Sequence, residues 1–187
     1  HTVWAPGTQY PYPDPEQPLV LPDTIDPTLY DYGGEGVAYH DMSNRNEGNG
    51  IRQDEGVDTE SQDQGHGSIG YINTGEWLEY SIRVEKELSA QVVLRMASAE
   101  ETNGSVDVLI NGETVAPGIQ ARNTGKWDRF EEFESNTITL TPQDTLLRLE
   151  FNGGNFNLGR VIVKEVETAV DQHPADLNLR MYPNPAG

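Results

Sequence analysis

A chain of 187 residues with 35% hydrophobic residues supports one packed domain with tails, or a domain plus a fragment of another; roughly 130 residues are expected to pack. Its 31 acidic residues against 12 basic ones leave a formal net charge of −19, which argues against nucleic acid and anionic membrane surfaces and favours an uncharged partner. The absence of cysteine rules out disulfides and thiolate metal sites, and no apolar run approaches the roughly 18 residues of a membrane span.

The chain opens at His1 with neither a methionine nor a signal-like segment, and is expected to be a piece of a longer protein. Residues 1–24 hold Pro6, Pro11, Pro13, Pro15, Pro18 and Pro22. Proline fixes φ and removes a donor, so this stretch is expected to run extended rather than enter a central strand. It reads as a linker from an upstream domain, with Trp4, Tyr10 and Tyr12 docking it onto a neighbouring domain.

Residues 25–167 carry the strand signature. From Leu78 to Val84 the apolar residues Leu78, Tyr80, Ile82 and Val84 fall on every second position, which gives one buried and one polar face. Val106, Val108 and Ile110 alternate likewise, and Asn111-Gly112 follows as a hairpin turn signal. Leu147, Leu149 and Phe151 alternate against Leu146, Arg148 and Glu150 until Asn152-Gly153-Gly154 breaks the run. Short strands at close spacing predict an all-β, antiparallel β-sandwich. The segment 33–68 is polar, with Val37, Tyr39, Ile51 and Val57 as its apolar anchors, and so is functional or mobile. Within it Val37-Ala38-Tyr39 and Gly56-Val57-Asp58 look like short strands. After about Thr168 the pattern stops, and residues 168–187 read as a linker and the start of something further.

Signals for chemistry are weak. Glu76 and Glu79 are three positions apart on a strand and face opposite sides, whereas Asp58 and Glu60 share a face. Glycosidase chemistry needs two carboxylates across a cleft, one of them in a dry pocket, and nothing in the sequence reports one. His1, His40, His66 and His173 form no metal-spaced pair, and His40 beside Asp41 reads as a surface or half-buried residue. No nucleophile-elbow or phosphate-binding glycine motif is present.

Several phrases fall in a telling order. Gly33-Gly34-Glu35-Gly36-Val37-Ala38-Tyr39-His40-Asp41 precedes Arg52-Gln53-Asp54-Glu55-Gly56-Val57-Asp58, then Ile69-Gly70-Tyr71-Ile72 and Gly75-Glu76-Trp77-Leu78-Glu79-Tyr80. Asn123-Thr124-Gly125-Lys126-Trp127 and Gly153-Gly154-Asn155-Phe156-Asn157-Leu158 follow. Over about Ile25 to Val166 the chain resembles the family 6 carbohydrate-binding modules. The resemblance implies a jelly-roll β-sandwich that performs no chemistry and binds polysaccharide or oligosaccharide in a cleft at the loop end. It also implies that two aromatic rings, here Tyr71 and Trp127, clamp a sugar while Asn157 hydrogen-bonds to it. The chemistry is reasonable, because a ring covers the apolar face of a pyranose and an amide offers both donor and acceptor to a hydroxyl. Taken alone, Tyr71 and Trp127 read more often as core residues than as ligands. Trp127 sits in loop composition, among Asn123, Gly125, Lys126, Asp128 and Arg129, whereas Tyr71 stays open between the two readings. Trp77, in a patterned strand, is assigned to structure.

The family often carries a structural calcium held by an N-terminal Glu-Ala-Glu; here Ile25-Asp26-Pro27-Thr28 stands in its place, leaving Asp26 as the candidate ligand. After Phe156-Asn157-Leu158 the frequent Asp-Trp is replaced by Gly159-Arg160. Met181-Tyr182-Pro183-Asn184-Pro185-Ala186 resembles the opening of the sorting domain of type IX secretion, implying a bacterial protein that is secreted or held at the cell surface. The expected function is a monomeric module that keeps an upstream catalytic domain of the same polypeptide near its glycan, an algal galactan such as agarose first, with xylan or a β-glucan as the alternative. The acidic total favours a neutral glycan, while Arg122, Lys126 and Arg129 around Trp127 point towards a sulfated one. The competing readings are a glycoside hydrolase or lyase, and an adhesin domain with no glycan site.

Overall fold

The computed structural model describes residues 7–61 and 66–167. The strands in chain order are β1 (Leu19–Leu21), β2 (Asp23–Ile25), β3 (Tyr39–His40), β4 (Thr59–Ser61), β5 (Gly67–Ile69), β6 (Trp77–Val84) and β7 (Leu88–Ala97). They continue with β8 (Ser105–Ile110), β9 (Glu113–Gln120), β10 (Glu131–Glu134), β11 (Ile138–Leu140), β12 (Leu146–Asn152) and β13 (Asn157–Glu165). Helix is confined, among the described residues, to a 3-10 turn at Pro27–Leu29.

These strands form two sheets. One runs β1-β6-β12-β8-β9, with β3 also on β6; the other runs β10-β7-β13-β5-β4, with β11 also on β7 and β2 also on β13. All pairings between these strands are antiparallel except β1 with β6, where Leu19, Val20 and Leu21 lie beside Ile82, Arg83 and Val84. Period 2 places the core. Leu78, Tyr80, Ile82 and Val84 of β6, Val106 and Val108 of β8, and Leu147, Leu149 and Phe151 of β12 are buried against Leu94, Met96, Leu158 and Val161 of the facing sheet. The β8–β9 hairpin turns at Asn111-Gly112, both at positive φ (49° and 85°), as the turn signal predicts. Asn111 Oδ1 also accepts the Thr145 and Leu146 N–H groups, at 3.1 Å each, and so ties the hairpin to the start of β12.

On the outer face of β6, Glu79 is buried because Arg148 covers it. The guanidinium bonds Glu79 Oε1 at 2.6 Å and lies 4.0 Å from the Trp77 ring centroid, so Trp77 has a structural partner.

The proline-rich start departs from the linker reading. The boundary drawn at residue 24 cuts through β2, and β1 and β2 belong one to each sheet. Pro18 and Pro22 flank β1 at a sheet edge, where a missing N–H is tolerated. Tyr10 and Tyr12 dock onto this same domain rather than a neighbour. Tyr10 exchanges backbone bonds with Tyr32 (3.0 and 2.8 Å), and the Tyr12 and Tyr32 rings lie 4.9 Å apart. Trp4 lies outside the described residues.

Arg52 fastens this segment. Its guanidinium lies 3.6 Å from the Tyr30 ring centroid and 4.5 Å from that of Tyr12. It donates to the Tyr30 and Asp31 carbonyls and pairs with Glu55 at 2.9 Å. The polar stretch 33–61 is therefore folded, although only Tyr39–His40 of the two short strands read there forms as such. Gly56-Val57-Asp58 leads into β4 outside any strand, with the Asp58 carbonyl accepting from the Gly70 N–H at 2.9 Å and Val57 buried.

Candidate functional site

Loops at one end of the sandwich enclose a cavity of about 700 Å³, within the range of small-molecule sites. Tyr71, Trp127 and Asn157 all line it. Tyr71, which follows β5, and Trp127, in the loop before β10, keep 57% and 41% of their surface exposed. Neither is a core residue, so the core reading of Tyr71 does not hold. Tyr71 holds a left-handed φ of 50°, a strained conformation for an aromatic residue.

Asn157 is only 6% exposed, and its Nδ2 donates to Glu60 Oε2 and to the Trp127 carbonyl, each at 3.1 Å. That amide therefore fixes the Trp127 loop and a wall carboxylate. Its carbonyl oxygen is the atom left to meet a ligand.

Glu60 is the residue whose place in the site the sequence did not reveal. Its alternation with Asp58 was legible, and both now line the cavity. Glu60 lies on β4 opposite Ser68 of β5, and burial raises its pKa against the lowering effect of a Ser68 hydrogen bond. Gly70 explains why glycine precedes Tyr71: a Cβ there would come within 2.8 Å of Glu60 Oε2. Ser43, Glu47, Asn73, Glu100 and Asn155 complete the polar lining among the described residues.

From Asp58 in this wall, two further buried carboxylates lie behind it and act on its charge: Asp41 and Glu76. Burial pushes Asp58 up to about 6, and the charges of Asp41, Glu76 and Glu47 add to the rise while the Glu47 N–H opposes it. Burial likewise raises Asp41 and Glu76. Because the folded value of Asp58 lies above the ordinary carboxylate value, its stabilising contribution is full below pH 4 and is lost as pH rises through 6. The expected result is greater stability at pH 5 than at pH 7.5. Asp58→Asn should remove about 1.4 kcal/mol of that difference, the worth of one pKa unit, as checked by urea unfolding at both pH values; an unchanged slope would contradict the assignment.

The other titratable candidates are structural. Glu79 pairs with Arg148, and His40 Nδ1 is held by the Glu35 carboxylate. Asp26 caps the 3-10 turn. Its Oδ1 accepts from Thr28 N (3.0 Å) and Oγ1 (2.7 Å), and its Oδ2 accepts from Gly67 N (3.1 Å). His66 Nδ1 lies 4.0 Å from it, and its negative charge acts on the half-buried Arg160 guanidinium. Among the described residues no three His, Asp or Glu side chains converge to hold a metal. A calcium ion needs six or more oxygens, so a lone carboxylate already bonded to N–H and O–H donors, with an arginine close by, does not fit one. Gly159, in the Asp position of the family phrase, packs on Phe130, where a Cβ would come within 2.8 Å of the ring.

A sandwich with an aromatic-walled, carboxylate-lined cavity and no metal-holding cluster among the described residues has the parts of a sugar-binding domain. The profile described as Carbohydrate binding module (family 6) matches residues 47–165, and the chain belongs to this family. Members are non-catalytic, and the chain is a binding module rather than an enzyme.

Solved structures show the same jelly-roll fold. The C-terminal family 6 module of LamC, a marine laminarinase of Zobellia galactanivorans, is 22% identical with a TM-score of 0.58, covering 76% of this chain and 98% of its own. A family 6 module of Clostridium stercorarium in complex with cellobiose is 17% identical with a TM-score of 0.60, covering 80% and 98%. A β-1,3-glucan-binding module of Bacillus halodurans is 18% identical with a TM-score of 0.57, covering 79% and 99%. The Met181–Ala186 motif lies outside the described residues.

Proposed function

We propose that the cavity binds an uncharged polysaccharide, an algal galactan such as agarose first, through Tyr71, Trp127, Asn157 and Glu60. The observation that carries this is the pairing of two exposed aromatic side chains with buried polar groups on one cavity wall. Rings cover sugar faces, while Glu60 and the Asn157 carbonyl accept from hydroxyls. Among the described residues the cavity is lined by Glu47, Asp58, Glu60 and Glu100 and by no lysine or arginine, which disfavours sulfate esters and uronates. Arg122, Lys126 and Arg129 are not among its lining residues. In this reading the module is a monomer of an exported bacterial protein and holds an attached catalytic domain at its glycan, raising the local enzyme concentration. A β-glucan is the second reading, favoured by the cellobiose and β-1,3-glucan ligands of similar modules.

The test is a calorimetric titration of the chain with neoagarohexaose, laminarihexaose, xylohexaose and a sulfated carrageenan hexasaccharide. Binding of neoagarohexaose above the others supports the first reading, and preference for laminarihexaose the second. Preference for the sulfated sugar overturns the charge argument. Heat from none of them removes the glycan reading.

A further inference from the structure

The Tyr71 platform has no regular secondary structure of its own to hold it, since it lies between β5 and β6 in a left-handed backbone conformation. A short relay supplies the support. The Tyr71 carbonyl accepts from Asn73 Nδ2 at 2.8 Å. The same Nδ2 reaches Glu76 Oε1 at 3.2 Å, and the Asn73 N–H donates to Glu76 Oε2 at 2.8 Å. Glu76 Oε1 also accepts the Met42 N–H at 3.1 Å, from the loop that brings Ser43 to the opposite part of the lining. One buried carboxylate thus gathers donors from two separate segments of the cavity wall.

We propose that Glu76 is a positioning residue for sugar binding, its ionised carboxylate clasping the 71–73 and 41–43 loops so that Tyr71 is preset as a platform. This rests on the glycan reading of the cavity. The ionised carboxylate accepts all three N–H donors with full strength; protonation turns one oxygen into an O–H donor and a poorer acceptor, which weakens the bond from a buried N–H. The groups that face it are Asp41, behind the 41–43 loop, and Asp58, ahead of β4, while Glu47 in turn faces Asp58. Burial, with the Asp41 charge adding to it against the Asn73 and Met42 hydrogen bonds, makes the clasp easier to protonate than an ordinary glutamate. The platform is therefore expected to loosen on mild acidification.

Two measurements on the full chain test this. In ¹H–¹⁵N spectra of the unliganded protein, the Met42, Asn73 and Tyr71 amides are expected to titrate together above the usual glutamate range, and to lose this shared transition in Glu76→Gln. In titrations with neoagarohexaose and laminarihexaose, Glu76→Gln is expected to weaken the sugar that wild type binds about tenfold, and to lose most of the decline in wild-type affinity between pH 7.5 and 5. Asn73→Ala, which cuts the same relay without touching the carboxylate, serves if Glu76→Gln does not fold and should weaken binding several-fold. Unmoved Tyr71 resonances with wild-type affinity in a folded variant overturn the proposal. If neither sugar binds wild type, the glycan reading falls, while the amide titration still judges the clasp.

Discussion

Replacing Arg52 with methionine is expected to destabilise the domain by about 3–5 kcal/mol, the usual effect of breaking a buried ion pair from one side. The side chain is 5% exposed and has the Tyr12, Tyr30 and Tyr32 rings around its guanidinium at 4.5, 3.6 and 5.5 Å. Methionine fills much of the space but gives back none of the bonds. The Tyr30 and Asp31 carbonyls lose a donor, and Glu55 keeps only the Tyr30 hydroxyl, at 2.9 Å, of the partners described here. Arg52→Lys keeps the charge without the planar fork and should fall between the two. Urea unfolding followed by tryptophan fluorescence measures the difference, with a melting point roughly 10 °C lower as the thermal counterpart. A loss below 1 kcal/mol would mean that the rings and carbonyls hold together without the cation. Limited proteolysis should also begin to cut within residues 7–18, whose contacts run through Tyr12 and Tyr32.

Trp127→Ala is expected to weaken glycan binding by about thirtyfold, or 2 kcal/mol, the scale of a buried aromatic anchor in an interface. It should leave the melting point within a degree or two, because the ring is 41% exposed and the loop is held by backbone contacts. Thr124 and Gly125 donate to the Ser98 carbonyl at 2.9 and 3.0 Å, and Asn157 holds the Trp127 carbonyl. Trp127→Phe should recover much of the affinity, since a phenyl face still covers a sugar ring. Calorimetric titration of wild type and both variants, paired with thermal melts, checks the result. Equal affinity for wild type and the alanine variant would move the site away from this cavity.

The strands were legible because period 2 is written directly in β6, β8 and β12, where alternate residues are buried almost without exception. The aromatic pair was legible through phrases of sequence that the family repeats. Two kinds of feature were not. The docking of Tyr10 and Tyr12 depends on Arg52, some 40 positions away, and nothing local in a proline-rich segment says what it will lie against. Glu60 and Asn157 meet across 97 positions, and the Glu76 clasp joins residues 34 apart in the chain. Glu76 was weighed only against Glu79, on the opposite face, because pattern records the face of a strand and not the distant loop that comes to rest on it.

The fastening at Arg52 also bears on reach. Residues 7–18, if free, would extend by roughly 40 Å at full stretch. Pinned by Tyr10 and Tyr12, they give no such slack, and the segment starts from a pivot on the domain's own surface. That pivot sits on residues 30–32 and 52, the latter within the long loop that also brings Ser43 and Glu47 to the cavity. Whatever is tethered through that pivot would sweep a smaller volume than a flexible tether of equal length would allow.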